Sequence, residues 1–266
     1  MQPEFWHKQT LKKPLFPDLE WSRPENRAFA GKLLVMGGNS QGFAAPAEAY
    51  GESLRAGIGV AHALLPDAIQ RIVGVIIENA DFAPSTPSGS FSQKALLESL
   101  THAAWADGVL LAGDIGRNSE TAILLEKFLS KHPGKATLTR DAVDYATSLP
   151  QMVINRPETL LVLSLGQLQR LGTAAKFPQP IAFSMDLLRL VDWLHEFTRD
   201  FAPHLIVRHL DTLFVAVDGE VSTTPAPAEK PIWRLKTAAH ATVWWIQNPQ
   251  KPFAALSMGA LQSLKG

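Results

Sequence analysis

Short apolar runs, closed by glycine turns and separated by longer mixed segments, set the rhythm of this chain. Residues 33–36 are uniformly apolar and end on Gly37-Gly38, the pattern of a strand buried on both faces. The alanine- and glutamate-rich stretch 44–56, stopped by Gly57, predicts a helix, and 59–65 predicts the strand after it. Strand, helix and strand in that order form one right-handed parallel unit. A second buried strand is predicted over 107–111, ending in Ala112-Gly113-Asp114-Ile115-Gly116-Arg117-Asn118, with Ser119 capping a helix over 120–129. Core strands are further predicted at 160–163 and 205–207, and helices at 183–197 and 239–246. The alternation predicts a three-layer α/β/α fold around a mainly parallel sheet. Ligands are then expected outside the carboxyl ends of the strands, where Gly37-Gly38-Asn39-Ser40 and Gly113-Asp114-Ile115-Gly116 fall.

Composition narrows the picture. The chain has 266 residues, 46% of them hydrophobic, with 25 basic against 25 acidic side chains and no cysteine. Two domains of roughly 150 residues would fit that length, but α/β folds reach it as one unit and no hinge-like break interrupts the pattern. A single domain over 23–266 is expected, preceded by an arm over 1–22 whose Phe5, Trp6, Phe16 and Trp21 pack across the surface or against another subunit. The Pro/Ser-rich stretches 81–90 and 222–231 read as surface loops. Balanced charge gives no reason to invoke nucleic acid or an anionic membrane. Without cysteine, disulfides and thiolate metal sites are excluded. Residues 1–13 lack the apolar core of a signal peptide, and no apolar run approaches the ~20 residues of a membrane span. A cytoplasmic protein with no membrane contact is expected.

The motifs then carry a resemblance. Arg23-Pro24, the stretch Gly31-Lys32-Leu33-Leu34-Val35-Met36-Gly37-Gly38-Asn39-Ser40 and Glu52-Ser53-Leu54-Arg55-Ala56-Gly57-Ile58-Gly59 resemble the opening of the ADP- or ATP-dependent NAD(P)H-hydrate dehydratases, members of the ribokinase-like superfamily. Gly113-Asp114-Ile115-Gly116 resembles that family's Gly-Pro-Gly-Leu-Gly turn, and Thr139-Arg140-Asp141-Ala142-Val143 its Asp-Ala-Asp-Ala-Leu. Ser164, Gly166, Gln167 and Arg170-Leu171 fall at its Pro-His-x-Gly-Glu segment and the Arg-Leu beyond it. Arg208-His209 and Asp218-Gly219 fall at its Lys-Gly segment and Asp-Gly turn. The resemblance runs from about residue 23 to the C-terminus, and the order of the pieces supplies most of its weight.

What the resemblance implies is nucleotide-driven repair. Family members phosphorylate the hydroxyl of hydrated NADH or NADPH with ADP or ATP and Mg, and loss of phosphate restores the dihydronicotinamide. It assigns Gly38, Asn39, Ser40, Asp114, Gly116 and Asp141 to the substrate side, and Gly166, Gln167, Arg208, His209 and Thr212 to the nucleotide side. NAD(P) is a further ligand if the pocket survives. The family's Gly-x-Gly-Asp motif supplies helix N-terminal N–H groups for the moving phosphoryl group and a carboxylate base. At its expected place stand Ala239-His240-Ala241-Thr242, so Ala239, His240 and Ala241 take the anion-hole position and Thr242 the base position. A threonine hydroxyl has no basicity near neutral pH, and loss of one such base costs about 10²- to 10⁴-fold. His240 is the candidate substitute base.

The reading is therefore a degenerate relative with lost or very low dehydratase activity and a retained nucleotide or dinucleotide pocket. An active enzyme with displaced catalytic groups is one alternative, and a structural or regulatory subunit of an active relative is another. Related proteins form homo-oligomers, and the aromatic arm and the Trp244-Trp245 pair add to that expectation. No metal ligand set is expected. Asp192, His195 and Glu196 share a predicted helix face that reads as solvated, and His204 and His209 lack zinc spacing.

Overall fold

The computed structural model describes residues 3–73, 76–226 and 233–265. Its strands are β1 (Trp6–Lys8), β2 (Lys32–Gly37), β3 (Val60–Pro66), β4 (Ala80–Ala83), β5 (Gly108–Gly113), β6 (Lys135–Thr139), β7 (Thr159–Ser164), β8 (His204–His209), β9 (Thr212–Val217) and β10 (Glu220–Pro225). Its helices are α1 (Asp18–Trp21), α2 (Ala44–Arg55), α3 (Gln70–Val73), α4 (Leu96–Trp105), α5 (Ser119–Lys131), α6 (Asp141–Thr147), α7 (Pro150–Ile154), α8 (Leu165–Ala174), α9 (Leu187–Asp200), α10 (Trp233–Gln247) and α11 (Pro252–Gln262). The strands form one sheet in the order β1-β10-β9-β8-β7-β6-β5-β2-β3-β4. All neighbours are parallel except β8 with β9 and β9 with β10.

Period-two alternation divides the core. Leu34, Met36, Leu64, Val109 and Leu111 point into one apolar layer, which α4 to α9 complete. Leu33, Val35, Ala63, Leu65, Leu110 and Ala112 point into the other, against α2, α10 and α11. Both faces are covered, which is why these strands read as unbroken apolar runs.

Two glycines bring the strand ends together. A Cβ on Gly37 would meet the Gly113 carbonyl oxygen at 2.4 Å, and Gly113 itself sits at φ +102°. Only residues without a side chain let the ends of β2 and β5 approach this closely. The Gly37-Gly38-Asn39-Ser40 and Gly113-Asp114-Ile115-Gly116 turns consequently lie side by side at the carboxyl edge, joined by a 3.0 Å bond from the Gly38 N–H to the Gly113 carbonyl.

Several boundaries differ from the sequence expectation for identifiable reasons. Asn118, not Ser119, caps α5, its Oδ1 accepting from the Glu120 N–H at 2.8 Å. Helix α9 starts at Leu187 behind Asp186, whose carboxylate accepts from the Arg189 N–H. Residues 81–83 and 222–225 are strand, not loop, because each lengthens the sheet at one side. The rest of the second predicted loop, 227–231, lies outside the described residues. The N-terminal arm supplies β1, which pairs with β10, and Phe16 packs against α11 beside Leu19. Trp244 and Trp245 are each 1% exposed, so they offer no surface for assembly.

Candidate functional site

At the carboxyl edge, three turns converge on Asp114 and Asp141. The Asp114 carboxylate accepts from the Ala45 N–H at the start of α2 (2.8 Å) and pairs with the Arg140 guanidinium (2.8 Å). Asn39 donates from Nδ2 to the Asp114 carbonyl at 2.6 Å, tying the first turn to the second. Asp141 opens α6, and its Oδ2 accepts from the Ile115 and Gly116 N–H groups at 2.9 and 3.3 Å. Its Oδ1 is buried and without a hydrogen-bond partner among the described residues. Burial pushes the Asp141 carboxyl above the ordinary aspartate range, outweighing the two backbone donors. Asp114 and Arg140, both at φ 55°, hold left-handed backbone conformations that cost of order 1–3 kcal/mol each.

Beside this knot lies a cleft of about 660 Å³ lined by Gly116, Arg117, Asn118, Ser119, Asp141, Asp144, Tyr145 and Arg170. The Tyr145 hydroxyl donates to the Gly116 carbonyl at 2.6 Å and accepts from the Asn118 N–H at 2.9 Å, fixing the rim. Arg170 pairs with Asp144 at 2.5 Å. The N-terminus of α5 opens here, and Arg117 adds positive charge, a combination suited to an anionic group. The predicted substrate-side residues Gly38, Asn39, Ser40, Asp114, Gly116 and Asp141 are thus gathered at one edge, although only Gly116 and Asp141 line the cleft. Sequence reasoning missed Asp144 and Tyr145, and met Arg170 only as part of a motif without assigning it to the site. The spacing of Asp141, Asp144 and Tyr145, three and four apart on α6, was the signal available.

The predicted nucleotide-side residues are engaged internally. Gln167 closes a capping box with Ser164 at the start of α8 and donates to the Arg140 carbonyl (2.7 Å) and to Asp144 (3.0 Å). Arg208 donates to the Ala226 carbonyl, and the His209 ring meets the Met185 carbonyl at 2.8 Å. Thr212 pairs in the β8–β9 turn with His209, and Gly166 lies in the first turn of α8. Of these, Gln167, Arg208 and His209 spend side-chain hydrogen bonds on internal partners.

The expected anion-holding turn is not where the sequence placed it. Ala239, His240, Ala241 and Thr242 lie inside α10, which begins at Trp233, so their N–H groups are spent in the helix and cannot hold a phosphoryl group. Thr242 is fully buried over the sheet, its hydroxyl bonded to Thr137 Oγ1 (2.7 Å) and the Ala238 carbonyl (2.6 Å). His240 faces α2, with Nε2 3.1 Å from Glu52 Oε2, and burial pushes its pKa down despite that carboxylate. The first turn of α10 carries no acidic residue. Arg234 is there instead, donating to Gln167 Oε1 at 3.0 Å.

Comparison with known proteins completes the picture. The chain is 24% identical over 205 residues to the bifunctional NAD(P)H-hydrate repair enzyme Nnr of Moorella thermoacetica, covering 75% of this chain and 37% of that protein. The chain is related to the NAD(P)H-hydrate dehydratases. It spans little more than a third of the length of the curated relative it matches. The fold of a ribokinase-like superfamily protein from Enterococcus faecalis matches with TM-score 0.74 at 12% identity, over 99% of this chain and 88% of that one. The ADP/ATP-dependent NAD(P)H-hydrate dehydratase of Bacillus subtilis, co-crystallized with ATP and Mg²⁺, matches with TM-score 0.59 at 12% identity, over 94% and 87%. These likenesses establish a ribokinase-like fold. No protein-family model matches the chain.

Proposed function

We propose that this protein is a ligand-binding relative of the NAD(P)H-hydrate dehydratases in which ordinary nucleotide-driven dehydration is lost or very low. One observation carries the reading: the first turn of α10, at the edge where the phosphoryl-holding turn and base are needed, has Arg234 bonded to Gln167 and no carboxylate. Phosphorylating the hydroxyl of a hydrated nicotinamide requires a group to accept its proton, and a guanidinium cannot. The cleft beside Asp141 keeps what binding needs: Arg117 and the α5 N-terminus for an anionic group, Asn118, Ser119 and Asp144 for hydroxyls. A nucleotide or dinucleotide has that chemistry.

The test is purified protein with hydrated NADH and either ADP or ATP with Mg²⁺. The absorbance of the reduced nicotinamide is expected to stay at background, while calorimetry with NAD(P) or ATP shows binding that Arg117→Ala weakens. A second reading rests on Asp141, whose raised pKa and place on the cleft are those of a displaced base. Turnover that Asp141→Asn abolishes would replace the first reading with that one.

A further inference from the structure

Away from the cleft, at the β4 edge of the sheet, three side chains from three elements converge. His62 on β3 shares the sheet face of Leu64, and Asp81 on β4 shares that of Ala83, so both point to the layer that α4 covers. His102 comes from the last turn of α4. The Nε2 atoms of His62 and His102 lie 3.1 and 3.5 Å from the same oxygen, Asp81 Oδ2. All three donor atoms fall within 4.8 Å of one another. We propose that His62, Asp81 and His102 form a site for a divalent transition-metal ion of the zinc class, clamping edge strand β4 to β3 and α4.

The distances argue for a shared ion. Ligands bound at about 2.0–2.1 Å around a tetrahedral zinc stand roughly 3.3 Å apart, close to both contacts with Asp81. Two imidazoles and one carboxylate form a donor set that suits zinc, and three protein ligands leave a fourth position for water. The side chains are partly open to solvent, His62 at 26% and His102 at 23%, so an ion has an entry path. The two rings, with centroids 5.3 Å apart, converge on one carboxylate oxygen. A single dication satisfies all three donors. Glu98, one turn before His102 on the same face of α4, has a buried Oε2 without a hydrogen-bond partner among the described residues. Trp105 meets the His62 ring edge-on at 5.6 Å and shields it on one side.

The experiment is a titration of the full chain, first stripped with a chelator, with Zn²⁺ alone. One equivalent is expected to bind in the wild type, and Co²⁺ in its place is expected to show the intense visible absorption of a tetrahedral site. His62→Ala and His102→Ala are each expected to weaken Zn²⁺ by more than ~100-fold, beyond the ~10–100-fold that outer partners are worth. Because an ion that binds only the folded chain raises its melting temperature, Zn²⁺ is expected to stabilise the wild type and neither variant. Asp81→Asn, at a carboxylate 48% exposed, gives a third variant that keeps its shape and packing. Absence of saturable Zn²⁺ binding, or one equivalent retained at unchanged affinity in any of the three variants, overturns the proposal.

Discussion

Thr242 shows how far a single residue's meaning depends on where its helix begins. Buried against Thr137 with both its hydroxyl contacts inside the protein, it is a packing residue of the α10–sheet layer. Thr242→Asp therefore supplies no catalytic base. It is expected to destabilise the protein by about 3 kcal/mol or more, as an unpaired buried charge does, read as a lower denaturant midpoint with no gain of dehydratase turnover. Burial also makes pH sensors of the core histidines. His132, His204 and His240 all have pKa values pushed below 6.5 by desolvation, so the folded state binds fewer protons than the unfolded chain. Their contribution is present above pH 6.5 and is lost as pH falls toward the depressed folded values. Thermal denaturation between neutral pH and mild acid is expected to show this loss, with a shallower slope in His240→Gln. A slope equal to that of the wild type would remove His240 from the account.

At the scale of elements, the strand–helix–strand opening was legible because β2 and β3 are short apolar runs with a glycine stop between α2 and β3. The start of α10 was not. From Thr237 to Trp245 every residue is buried, so the helix has no polar face there and no amphipathic rhythm to mark its phase or its beginning. Ala239, His240 and Ala241, placed at the anion-hole position by the resemblance, instead sit inside the helix, where the alanines serve close packing. Gly259 of α11 shows why small residues are needed: a Cβ there would meet the Ala241 Cα at 2.7 Å and the His240 carbonyl oxygen at 2.9 Å. Both are backbone atoms that cannot rotate away. Gly259→Ala is expected to cost roughly 1–3 kcal/mol through forced separation of the two helices, measured as a fall in melting temperature. The candidate zinc ligands were equally illegible, since His62, Asp81 and His102 share no sequence spacing: the β3–β4 register brings the first two together and the docking of α4 brings the third.

Over the whole molecule, the sheet's carboxyl edge follows from parallel topology and could be read in advance, whereas its outer strands could not. Strands β1 and β10 lie in segments rich in polar residues, and their pairing is visible only in three dimensions. Gln9, 2% exposed, locks this flank by donating to Thr224 Oγ1 (3.0 Å) and the Ser257 carbonyl (2.9 Å). Gln9→Ala is expected to lower stability by about 1–3 kcal/mol, since buried acceptors lose their donor, with chemical denaturation as the measurement.

Strand β1 also has a consequence in time. The Trp6 indole reaches Thr223 across 217 positions of sequence, and the sheet closes only when that partner exists. β1 precedes the other nine strands in the chain, yet it has nowhere to dock until β10 has been made and folded. β1 is thus among the last strands to find its place, and until then β10 presents an open edge to its surroundings.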